Sequence, residues 1–250
     1  MFSLEIECDL ADRDLLIAEL WEQGSAGIVE LDARRVRAFF EDGADREALL
    51  VLYPGASLRE EEPRDWVAAA RDLLQPMEVG RRFFLVPEWR DDPAPPGRFR
   101  IVVNPGMAFG TGHHETTRLC LEALEDYVKP GATVLDVGTG SGILAQAARL
   151  LGAGKAVGCD TDAVAVEIAG SGFVGSVDAV RAQSVDVVVA NITPQTIIAL
   201  APDFRRVLRP GGVLLASGFE GREVEQVSAA LPPVVEARHK AEWALVVARA

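Results

Sequence analysis

The 250-residue chain is predicted to be an α/β protein, a doubly wound and largely parallel sheet closed by an antiparallel edge, with a small α+β unit in front of it. Three observations predict this. Residues 133–152 read as a buried strand, a glycine turn and a helix: Thr133, Val134 and Leu135 run into Asp136, Gly138, Gly140 and Gly142 follow, and Ile143, Leu144, Ala147, Ala148 and Leu151 recur at helical spacing before Gly152. Strand and helix patterns alternate from there to residue 231. Residues 234–239 and 243–248 then read as a closing hairpin.

The elements follow in order. Phe2, Leu4, Ile6 and Cys8 alternate with Ser3, Glu5, Glu7 and Asp9, the pattern of a half-buried strand. Residues 12–23 read as a helix capped by Asp12, with Leu16, Ile17, Leu20 and Trp21 as its apolar face and Gly24 as its stop. Residues 26–31 and 36–40 pair as a hairpin, and 46–52 complete a β-α-β-β-α unit near the lower size limit for independent stability. Domain boundaries are placed at 1–53 for this unit, 54–76 for a linker rich in Pro and Glu that carries a short helix over 65–74, and 77–250 for the main domain. Strands are expected at 82–86 and 98–103, on either side of a stiff Pro-rich loop. A helix follows from about residue 115, capped by Thr111 or the later threonines. After the glycine turn come strands at 156–160, 173–178 and 184–191, a helix at 196–208, a strand at 213–216 and a helix at 222–231.

Composition excludes several classes. With 49% hydrophobic residues the chain can bury a sizeable core, and no apolar run of eighteen or more residues predicts a membrane span. The acidic, alternating N-terminus resembles neither a signal nor a transit peptide. Cys8, Cys120 and Cys159 lie in apolar contexts and are expected to be buried free thiols, so the expectation is a cytoplasmic protein. Lys plus Arg number 25 against 38 Asp plus Glu, and the net −13 disfavours direct nucleic-acid binding while attracting basic partners. Solubility is an equally good reading of that charge.

The chemistry concentrates in four places. A dinucleotide fingerprint needs G-x-G-x-x-G, but here the third glycine comes one residue early and Ile143 stands at the fingerprint position. Asp136 before the turn suits a ligand with a cationic end, such as the amino and sulfonium groups of S-adenosylmethionine, better than a pyrophosphate. Asp160, 24 residues on, ends the next strand, where an acid accepts hydrogen bonds from ribose hydroxyls. Asn191 ends the strand after that, at the level of the cofactor. Asp162 is read as a helix cap. The fourth place is the Gly-rich stretch 104–117, expected to order over a ligand. His113, His114 and Glu115 within it invite a zinc reading, but Arg118 stands where the second histidine of the zincin pattern belongs, so no metal site is assigned.

Together these residues resemble the class I S-adenosylmethionine-dependent methyltransferases. The stretch Pro105–Thr117, followed by VLDVGTGSG and by Val-Ala-Asn191-Ile, closely resembles the methyltransferase family that modifies the eleventh protein of the large ribosomal subunit. The resemblance covers nearly the whole chain. It implies a Rossmann-like seven-stranded sheet with an antiparallel C-terminal hairpin, and a small ferredoxin-like N-terminal domain that recognises the substrate and swings on a linker containing Asp65 and Trp66. It further implies a monomeric enzyme that uses S-adenosylmethionine to methylate lysine side chains and the N-terminal amine of that ribosomal protein. Thr117, Gly138, Asp160 and Asn191 match the family's cofactor-contacting positions; Asp136, Gly140, Phe109, Gly110 and Thr111 are assigned to the same site. Residues 161–172 are shorter than the family pattern and lack its proline after the acidic pair, which leaves the adenine contacts open.

Methyl transfer is an in-line displacement that depends on alignment. Its nucleophile must be a neutral amine, although free lysine titrates near ~10.4. No residue declares itself a general base, so Asn191 is expected to position the amine, and Phe109 either faces a cation or packs in the core. Two other readings remain open: another amine or nucleobase methyltransferase, and a non-catalytic cofactor-binding module. The residues after Asn191, Ile192-Thr193, depart from the Pro-Pro-aromatic that follows the Asn in enzymes acting on exocyclic base or glutamine nitrogens.

Overall fold

A computed structural model describes residues 1–9, 13–32, 34–60, 75–104 and 114–250, in two compact units, Met1–Leu74 and Gln75–Ala250. In the first unit the elements are β1 (Phe2–Glu7), α1 (Arg13–Glu22), β2 (Gly27–Asp32), β3 (Arg35–Phe40), α2 (Arg46–Leu52) and β4 (Ser57–Glu60). The strands form an antiparallel sheet in the order β2-β3-β1-β4, the split β-α-β arrangement of ferredoxin-like units. Period-two alternation puts Phe2, Leu4 and Ile6 beside Val36, Ala38 and Phe40, under Leu20 of α1 and Leu49 of α2. On the opposite face Glu5 accepts hydrogen bonds from Arg37 and Arg35 at 2.9 and 3.1 Å. The Arg37 hydrogen bond holds its carboxyl below the ordinary range, with Arg59 and Arg35 adding to the effect.

Three expectations for this unit need correction. β4 lies inside the segment read as linker; among its four residues only Leu58 packs on the core, too little pattern to be legible among the prolines and acids around it. Trp21, expected on the apolar face of α1, is 53% exposed, while Leu20 is fully buried. Cys8 is only half-buried, unlike Cys120 and Cys159. The Asp12 cap and the helix expected at 65–74 fall outside the described residues.

The second unit begins with β5 (Met77–Val79), which the sequence did not betray, and continues through β6 (Phe83–Pro87) and β7 (Phe99–Val103); these form a three-stranded sheet in which β6 and β7 are parallel. Then follow α3 (Glu115–Tyr127), β8 (Thr133–Val137), α4 (Ile143–Leu150), β9 (Lys155–Asp160), α5 (Ala163–Ala169), β10 (Gly172–Val174), β11 (Val185–Asn191), α6 (Pro194–Val207), β12 (Leu208–Glu220), α7 (Val224–Ala230), β13 (Val234–Lys240) and β14 (Trp243–Arg249). Their seven strands run in the order β10-β9-β8-β11-β12-β14-β13, parallel as far as β12, with β14 antiparallel to β12 and to β13.

Both faces of this sheet are covered, which is why its central strands are almost continuously apolar. Val134, Val187, Val189 and Leu215 pack on one side with Leu119 and Leu124 of α3 and Ile143 and Ala147 of α4. Leu135, Val188, Ala190 and Leu214 pack on the other with Ile197 and Phe204 of α6 and Val227 of α7. No described helix is long and apolar enough to cross a membrane. The strand order turns back between β8 and β11, and the crevice beyond the carboxyl ends of strands at such a switch point is where open α/β sheets bind ligands.

Candidate active site

The glycine turn occupies that crevice. Gly138 and Thr139 both donate their backbone N–H to the carbonyl of Cys159, at 2.9 and 3.1 Å, which fastens the turn to β9. Gly138 has φ +68°, and a Cβ placed on it would stand 2.3 Å from Cγ2 of Ile192, so both the backbone conformation and the close approach demand glycine. Gly142 then starts α4.

Register shows how the polar residues share the site. Asp136 pairs with Gly158 on β9 and with Val189 on β11. Asp160 and Asn191 lie two residues beyond those partners, so all three side chains belong to the same face, the one covered by α3 and α4. Asp160 and Asn191 stand at the strand tips, and Asp136 sits one two-residue repeat, about 7 Å, below them.

Asp136, assigned to the ligand site from the sequence, lies deeper than the strand tips. It is 1% exposed; Oδ2 accepts hydrogen bonds from the Thr139 hydroxyl at 2.8 Å and from the Ala145 N–H at 3.1 Å. Its carboxyl thus ties the end of β8 to the turn and to the first turn of α4. Oδ1 is buried and has no hydrogen-bond partner. Burial pushes this carboxyl up to about 7, against the two hydrogen bonds that favour its charged form. Burial, reinforced by the nearby Asp136 charge, also raises the thiols of Cys120 and Cys159, the latter to about 12.

Asp160 has a different role. Its Oδ2 accepts the Gly140 N–H and its Oδ1 the Asp162 N–H, both at 3.1 Å. Each oxygen keeps a second lone pair, and the side chain borders a cavity of about 310 Å³. Gly138, Thr161, Ser176, Ile192, Thr193, Thr196 and Leu200 also line that cavity. An acceptor-tipped, largely apolar pocket beside a glycine floor fits the adenosine part of a nucleoside cofactor. Asp162 caps α5 as expected, accepting the Val164 N–H at 2.8 Å. The short 161–172 segment still forms a seven-residue helix, closed by Gly170.

Asn191 donates through Nδ2 to the Thr117 hydroxyl at 3.3 Å, across 74 residues of sequence. Thr117 is 1% exposed on the first turn of α3, so the amide is held from a rigid element. The Asn191 Oδ1 is buried without a hydrogen-bond partner. α3 is capped by His114, not by a threonine: its Nδ1 accepts the Thr116 N–H at 3.3 Å, and its ring meets Trp243 edge-on at 4.6 Å. Phe109, Gly110 and Thr111 lie outside the described residues.

Of the residues assigned from the sequence, Gly138 and Asp160 line this cavity, Gly140 bonds to Asp160 and Thr117 to Asn191; Thr161, Ser176, Ile192, Thr196 and Leu200 line the cavity without having been assigned. Position supplied the available signal for three of these, since Thr161 and Ile192 each directly follow a parallel strand and Ser176 comes two residues after one.

Comparison with known proteins identifies the family. Residues 44–250 match the family model described as ribosomal protein L11 methyltransferase (PrmA). A protein of that name from Pelotomaculum thermopropionicum is 42% identical over 218 residues, 79% of this chain and 71% of the relative. One from Symbiobacterium thermophilum is 38% identical over 233 residues, 87% of this chain and 77% of the relative. The crystal structure of a ribosomal protein L11 methylase from Lactobacillus delbrueckii subsp. bulgaricus superposes with a TM-score of 0.64 at 30% identity, covering 70% of this chain and 99% of that one. A family match over most of the chain, backed by relatives of this similarity, places it: the chain belongs to the ribosomal protein L11 methyltransferase family.

Proposed function

We propose that this protein is an S-adenosylmethionine-dependent N-methyltransferase that modifies amino groups of ribosomal protein L11, on lysine side chains and at the N-terminus, in the cytoplasm. The observation that carries the reading is the Asn191 amide: Thr117 fixes it through Nδ2, and Oδ1 is left as a buried acceptor without a partner at the tip of a central strand. An unpaired buried acceptor costs about 1–3 kcal/mol, a cost that an incoming N–H donor removes. When bound, S-adenosylmethionine supplies a methyl group activated by its sulfonium. Asp160 holds the ribose hydroxyls with its spare lone pairs, and Gly138 and Gly140 let the ligand approach the main chain. Phe109, Gly110 and Thr111 belong to the same site by family resemblance. Asn191 orients the substrate amine toward the methyl carbon, and desolvation in the crevice favours its neutral form.

Charge distribution supports a basic protein substrate recognised through the first unit. Residues 1–74 hold 18 Asp and Glu against eight Lys and Arg, a net −10, whereas residues 75–250 hold 20 against 17, a net −3. Such a field raises the encounter rate with a cationic partner and falls off with salt. Incubation with S-adenosylmethionine and unmethylated L11, followed by mass spectrometry, tests the proposal. Mass increments of 14 Da steps on lysine-bearing and N-terminal peptides are expected; cofactor binding without any increment on L11 would refute it.

A further inference from the structure

Arg118 is a cation beside the crevice that the proposed reaction leaves unused. It lies on the first turn of α3, directly after the Thr117 that holds Asn191. The side chain is half-buried, and among the described residues it makes no hydrogen bond or ion pair; its Nε is buried without a partner. Glu115 and Glu122 stand three residues before it and four after it, spacings at which a carboxylate and an arginine meet across one helix turn. Neither takes the guanidinium, and Glu122 instead accepts from Lys240 Nζ at 2.5 Å. The fork is thus turned away from the carboxylates of its own helix.

Two contacts fix the face of α3 to which it belongs. Four residues earlier His114 meets Trp243 of β14, and four residues later Glu122 meets Lys240 of β13. Residues four apart share a helix face, so Arg118 falls in the same row, on the side of the β13–β14 hairpin. Thr117, about 100° around the helix, turns to β11. The hairpin reaches past the crevice: Asn191 is level with Ser217 on β12, and Trp243 pairs with Glu220, three residues farther along that strand. In the sheet order β9-β8-β11-β12-β14, Asp160 lies on one side of Asn191 and this wall on the other.

We propose that Arg118 is a specificity-determining residue for the acceptor: its guanidinium donates to a main-chain carbonyl of the substrate protein beside the target amine. The inference rests on the proposed methyltransferase reaction. A cofactor with its ribose on Asp160 and its reactive end at Asn191 fills the crevice from β9 to β11. The amine displaces the sulfonium from the side opposite the sulfur, so the acceptor enters from the side of β12 and β14, where Arg118 stands. A guanidinium has five N–H donors and no acceptor, so its partner is an oxygen. Lysine side chains and an N-terminal amine share no flanking side chain, but each is followed by peptide carbonyls. A main-chain contact therefore serves both kinds of amine.

The test is steady-state kinetics of the full chain with S-adenosylmethionine and unmethylated L11, with cofactor affinity measured separately by calorimetry. Arg118→Gln should raise KM for L11 by about 10- to 150-fold, the worth of one hydrogen bond to a charged group, while kcat stays within about threefold. Cofactor affinity should not change. Arg118→Lys keeps the charge but not the fork and should recover part of the loss. Mass spectrometry should show the same fractional loss at lysine and N-terminal sites; a loss confined to one of them would overturn the main-chain assignment. An unchanged KM in Arg118→Gln, or a cofactor affinity that falls in step with it, would overturn the proposal. Failure of the wild-type protein to methylate L11 would instead overturn the reading of its function.

Discussion

Replacing Asp136 by Asn should change how stability responds to pH, and the structure sets both sign and size. Burial holds the Asp136 carboxyl at about 7, against 3.8 for an unperturbed aspartate. The unfolded chain therefore sheds this proton near pH 4, whereas the folded protein keeps it until about pH 7. Below pH 4 the group is neutral in both states and contributes nothing. Between pH 4 and 7 the unfolded state alone gains from ionisation, so the folded state loses ground with rising pH, up to about 4 kcal/mol at about 1.36 kcal/mol per pH unit. Asn cannot ionise, and its stability relative to the wild type should rise by about 3 kcal/mol between pH 5 and pH 8. Asp126, Asp186 and Glu236 have lowered values and act in the opposite direction, but they are common to both proteins and cancel in the comparison. Hydrogen–deuterium exchange of the β8 and β11 amides as a function of urea isolates the second unit. A slope of about 2–3 kcal/mol per molar urea converts the difference to roughly 1 M in midpoint. Parallel pH profiles for the two proteins would refute the buried-proton argument.

Three further outcomes follow from the crevice. Asn191→Ala should leave S-adenosylmethionine affinity within a few-fold and lower kcat on L11 by about two orders of magnitude, as loss of a positioning contact does; full turnover would remove Asn191 from the reaction. Asp160→Ala should weaken S-adenosylmethionine binding by about 10- to 150-fold in calorimetry, the cost of one hydrogen bond to a charged acceptor, and an unchanged affinity would sink the ribose assignment. Gly138→Ala should abolish cofactor binding, because its Cβ would meet Ile192, a wall of the cavity, at 2.3 Å. Gly131→Ala is its control: φ is +82° with open space around it, so it should cost about 1–2 kcal/mol of stability and leave cofactor affinity unaltered.

Much of the second unit was legible because its strands are buried on both faces. Residues 133–137, 155–160 and 185–191 are mostly apolar, and the polar residues ending the last two, Asp160 and Asn191, mark the carboxyl edge of the sheet. The N-terminal strand was legible from strict alternation. What escaped depends on information a linear pattern does not hold. β4 offers the core a single residue, Leu58, and β5 has only three residues, so neither run is long enough to show a period. His114 caps α3 while its ring packs edge-on against Trp243, 129 positions away, a contact no local pattern shows. The depth of Asp136 depends on register: pairing with Gly158 and Val189 sets it one two-residue repeat below the strand tips, which a linear pattern does not show.

Level on the sheet sorts three aspartates of this unit into three kinds of chemistry. Asp186, at the amino end of β11, accepts the Thr133 N–H at 2.7 Å and both contacts from Arg209 at 2.7 Å. Burial pushes its carboxyl up, but these donors outweigh it and hold the group below its usual range, as a permanently charged clasp between strands. Asp136, midway, is too deep for water, and burial raises its carboxyl to about 7 against its two hydrogen bonds. Asp160, at the carboxyl tip, has one backbone donor on each oxygen and solvent-side lone pairs to spare. Spare accepting capacity survives there, together with the free Oδ1 of Asn191, because parallel strands end in the same direction and bring their last polar side chains to one edge of the sheet. Binding chemistry at this edge is therefore a consequence of sheet geometry. What the sequence adds is the choice of which tip carries a carboxylate and which an amide, and in the proposed function that choice separates holding a ribose from orienting an amine.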